Sequence, residues 1–148
     1  MEPMDEATAY LDDTPRLRQA LATQGYLLIR GLLPEGRVRA LHRTLAQHVQ
    51  AHGWLRPGTD PELCLASDNV SVDPEPDYLD VIAGFNELVE FNALSHDPNL
   101  VGFLERLVGD KVLVHPKPLP RNIFPRLEEY TTPPHQDYPN IQGTTEVY

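Results

Sequence analysis

A single cysteine, Cys64, leaves this chain no internal disulfide and fits a reducing compartment. Positive charge is scarce as well. Twelve Lys and Arg face 22 Asp and Glu, a net charge of −10 at neutral pH. Phosphate contact needs clustered Lys and Arg, so nucleic acid and anionic membranes are disfavoured as partners. No apolar run approaches the roughly 20 residues that cross a bilayer. The first ten residues lack the basic start and apolar stretch of a secretory signal. A soluble cytoplasmic protein is therefore expected. P-loop, nucleophile elbow, Gly-rich dinucleotide fingerprint and internal repeat are all missing, which removes several enzyme classes at once. Proline is the one excess: 15 residues in 148, about twice the usual share. They gather at 57–76 and 116–139, where irregular backbone or short, punctuated strands are expected.

The length suits one domain with one core. Residues 1–13 read as a flexible acidic N-terminus and 14–148 as the domain. Thr14-Pro15 opens a short helix with Leu17, Ala20 and Leu21 on one face, ending at Gly25. Residues 26–30 read as a strand, its Leu27-Leu28-Ile29 run suggesting burial on both faces. Pro34 opens a longer helix to about His52, with Val38, Leu41, Leu45 and Val49 as its buried stripe and Arg37, Arg39 and Arg43 solvated. Trp54 is expected to pack. Residues 55–76 read as a long loop, either a substrate-selecting segment or a surface meander. Residues 78–94 read as helix, broken near Gly84, with Leu79, Ile82, Phe85 and Val89 inward. Asp97-Pro98 starts a helix that buries Leu100, Phe103, Leu104 and Leu107 and stops at Gly109. Residues 111–115 alternate as a strand does.

Chemistry concentrates near the end, at His135-Gln136-Asp137. On an extended strand, residues two apart share a face. The His135 imidazole and Asp137 carboxylate would then converge, supplying two members of the 2-His-1-carboxylate triad of non-heme Fe(II) oxygenases. The competing reading is a polar turn in which the two side chains bond each other. Other histidines are weaker candidates. His48 and His52 have the i, i+4 spacing of a chelating pair, but they and His42 sit at surface positions without a completing carboxylate or Cys. His115 precedes a proline and has no partner two residues on. Neither a paired His nor a basic cluster near Cys64 suggests an activated thiol.

The run His-Gln-Asp-Tyr-Pro-Asn-Ile-Gln-Gly from His135 resembles the iron-binding strand of the phytanoyl-CoA dioxygenase family of Fe(II)/2-oxoglutarate oxygenases. Gly-Tyr-Leu-Leu-Ile-Arg-Gly-Leu-Leu-Pro from Gly25 is similar to that family's opening strand and turn. The resemblance implies an α+β fold, with N-terminal helices packed on the first strands of a double-stranded β-helix (jelly roll). It implies His135 and Asp137 as metal ligands, Fe(II) and 2-oxoglutarate as cofactor and cosubstrate, and a small-molecule substrate. Lys117 and Arg121 resemble candidates for holding the 2-oxoglutarate carboxylate. Family members continue further, to a second iron-binding His and a 2-oxoglutarate-binding Arg. The expectation is thus the N-terminal portion of such an enzyme, inactive alone, with an incomplete jelly roll whose exposed sheet edge invites homo-oligomers. The alternative is a non-catalytic interaction or structural domain without metal.

Overall fold

Side-chain caps mark where the first and last helices begin. In the computed structural model, which describes residues 3–116, 118–124, 127 and 134, five α-helices follow one another. These are α1 (Thr14–Gln24), α2 (Glu35–Ala51), α3 (Pro76–Glu87), α4 (Val89–Ser95) and α5 (Pro98–Val108), with single 3-10 turns at Thr8–Tyr10 and Pro61–Leu63. Asp13 caps α1 by accepting from the Arg16 N–H at 3.1 Å. Asp97 caps α5 by accepting from the Asn99 N–H at 3.0 Å. Each cap satisfies an N–H with no partner inside its helix.

The α+β jelly-roll expectation is overturned. Helix makes up 52% of the structure and strand 3%, with no sheet among the described residues. Among the described residues, extended pairing is limited to two isolated bridges, Glu6 with Leu28 in parallel and Leu55 with Ala66 antiparallel. Residues 26–30 therefore make no strand beyond the Leu28 bridge, and Leu27, Leu28 and Ile29 are half-buried, not enclosed on both faces. Residues 111–115 are irregular, with alternate residues exposed. Strand-forming composition needs a neighbouring backbone to pair with, and the described residues bring none beside this segment. Without a sheet, the described residues offer no sheet edge for self-association.

Two apolar clusters hold the helices. One gathers Val49, Trp54, Leu55, Tyr78, Val81 and Phe85 between α2, α3 and the segment after α2. The other gathers Ala7, Leu17, Phe103 and Leu107 where α1 meets α5. Arg18 ties α1 to the end of α5, its guanidinium donating to the carbonyls of Leu107 at 2.7 Å and Arg106 at 3.1 Å. Gly109 ends α5 at φ +89°, a left-handed conformation that favours glycine, and a Cβ there would also press on the same guanidinium.

On α3, Phe85 is buried and Ile82 half-buried as expected, but the inward face turns toward Tyr78 and Val81 and leaves Leu79 50% exposed. Val89, also expected inward, opens α4 and is 76% exposed. Trp54 sets the rotation of α3. Its ring is fully buried, stacks on Tyr78 and meets Phe124 edge-on, confirming that it packs. The helix break falls at Leu88, whose backbone is extended, and not at Gly84. Asn92 bridges the break through its amide, donating to the Asn86 and Leu88 carbonyls. On α2, Leu41 and Val49 are buried and Leu45 is half-buried as the stripe predicts, but Val38 is exposed on the wall of an open groove.

Candidate functional site

Of the four residues singled out for cofactor chemistry, three lie outside the described residues: Lys117, His135 and Asp137. The fourth, Arg121, is exposed and faces Asp73, with guanidinium to carboxylate at 3.3 Å. Beside this pair, Tyr78, Asn122 and Phe124 close round a cavity of about 10 Å³. That is the room of one water molecule, far short of a five-carbon diacid. To bind 2-oxoglutarate, Arg121 would have to leave Asp73 and turn outward.

One group of titratable side chains lies where α2 crosses α3. The Trp54 indole N–H donates to Asp77 Oδ2 at 2.7 Å, and His52 Nδ1 lies 3.4 Å from Asp77 Oδ1. One turn back, His48 stands with its ring centroid 5.0 Å from that of His52 and 5.2 Å from that of Phe85, and its Nε2 is 3.2 Å from the Val81 carbonyl. The ring fits because position 84 is glycine: a Cβ there would collide with His48 Cε1. His48 and His52 are thus half-buried at a helix contact, correcting the surface placement. Their neighbours explain them as packing and hydrogen-bonding groups. Asp77 was not foreseen, since 25 residues separate it from His52 and no local pattern links them.

Cys64 also corrects its expectation. The chain turns through a left-handed conformation there, φ 48°, and brings Sγ within 3.4 Å of His42 Nε2 on α2. Twenty-two residues separate the two, so spacing carried no sign of the contact. The Arg43–Glu62 ion pair, 2.7 Å, fastens the same turn to α2. The Glu62 hydrogen bond and charge raise the Arg43 guanidinium above its ordinary value. Arg39 pairs with Glu35 one turn away and is solvated as expected, while Arg37 reaches the buried carboxylate of Asp97.

One carboxylate stands out electrostatically. Glu75, just before α3, accepts from the Ser71 hydroxyl at 2.6 Å and the Val72 N–H at 3.1 Å. These two bonds, the hydroxyl's first, hold its carboxyl below the ordinary range.

No group of three or more His, Cys, Asp or Glu among the described residues is placed to hold a metal ion. No helix among them is long and apolar enough to cross a membrane. No protein-family model, curated protein or solved structure matches the chain.

Proposed function

We propose that this chain belongs to an Fe(II)/2-oxoglutarate-dependent oxygenase acting on a small molecule, with His135 and Asp137 as metal ligands. The observation that carries the reading is the donor chemistry of His135-Gln136-Asp137 in its sequence context. An imidazole and a carboxylate two residues apart suit a divalent transition metal. Asp137 brings the negative charge that offsets the ion, and His135 ligates as the neutral ring. Bound Fe(II) and 2-oxoglutarate would supply the oxidising chemistry that hydroxylates the substrate. Lys117 and Arg121 are the candidate anchors for the cosubstrate's carboxylate, and Arg121 serves only after exchanging Asp73 for it.

A second reading rests on the architecture alone: the described residues form a helical assembly and not the expected sheet. In it the chain is a non-catalytic interaction domain, and His135 and Asp137 bond each other. Anaerobic Fe(II) titration, followed by calorimetry, separates the two. Saturable binding that disappears in both His135→Ala and Asp137→Ala supports the oxygenase. Binding of equal strength in wild type and Asp137→Ala, or no binding by any form, rejects it.

A further inference from the structure

We draw no further inference here: the strongest candidate, the exposed Cys64 thiol 3.4 Å from His42 Nε2 where the Pro61–Leu63 turn meets α2, is a single cysteine beside one ring nitrogen, and nothing among the described residues shows what it would bind or react with.

Discussion

At the scale of single residues, Gly84 and His48 make a pair whose energetics can be separated. Alanine is preferred over glycine inside a helix by about 1 kcal/mol. At position 84 that gain meets a collision with an imidazole held between His52 and Phe85, and overpacking costs about 1–3 kcal/mol. Gly84→Ala alone should therefore destabilise, by about 1 kcal/mol net. In a His48→Ala background the obstacle is gone, and the same change should become neutral or stabilising. Urea denaturation followed by circular dichroism measures both backgrounds, and an unchanged sign would refute the contact. Glu75 supplies a pH effect. Its folded-state carboxyl titrates below the ordinary 4.5, so its two bonds stabilise the fold above that value. The contribution is lost as pH falls through the lower, folded value. Ser71→Ala should move the Glu75 titration, read by carboxyl carbon NMR, back toward the ordinary value and flatten the acid side of the stability profile. Neither effect was legible beforehand. Gly84 reads equally well as a helix break, and a Ser four residues before a Glu is an unremarkable spacing in a loop.

At the scale of elements, the helices were legible and the strands misleading, for one physical reason. A helix closes its hydrogen bonds within its own segment, so its caps and periodicity sit together in the sequence, as at Asp97-Pro98 with Gly109. A strand takes its bonds from elsewhere in the chain. The apolar run at 26–30 and the alternation at 111–115 describe side-chain composition, and composition alone supplies no partner. Which face of a helix turns inward is also decided from outside, as Trp54 decides it for α3. The α1–α5 contact invites a test. Arg18 donates to two carbonyls at the C-terminal end of α5, groups left without partners inside the helix. Arg18→Ala should cost about 1.5 kcal/mol, the low end for a charged hydrogen bond because the side chain is exposed. Arg18→Lys should recover little of it, because one ammonium group does not reproduce the planar fork. Amide exchange of α5 should accelerate in both variants. Protection equal to wild type in Arg18→Lys would show that charge, not the fork, makes the contact.

At the scale of the whole molecule, the two apolar clusters share no residue. The ion pair of Arg37 with Asp97 crosses from α2 to α5, one side half-exposed and the other buried. One core was expected from a chain of this length, and the division was not legible because it depends on which helices meet. The proposed metal site belongs to this scale too, since a third ligand can only come from tertiary structure, and sequence spacing revealed two donors at most. If the clusters are energetically separate, trimming one should leave the other's contribution unchanged. Leu17→Val and Phe85→Leu each remove atoms from a different cluster, at a cost of about 1 kcal/mol apiece. The double variant should then lose the sum of the two within about 0.5 kcal/mol, as distant substitutions without common partners do. Circular dichroism is the suitable probe, because the sole tryptophan, Trp54, reports only on the α2–α3 cluster. A coupling above about 1 kcal/mol would mean that strain passes between α2 and α5, and the natural suspect would be the buried Asp97. Repeating the cycle in Asp97→Asn, which keeps a side-chain acceptor for the Asn99 N–H while removing the charge opposite Arg37, would then show whether that ion pair carries the coupling.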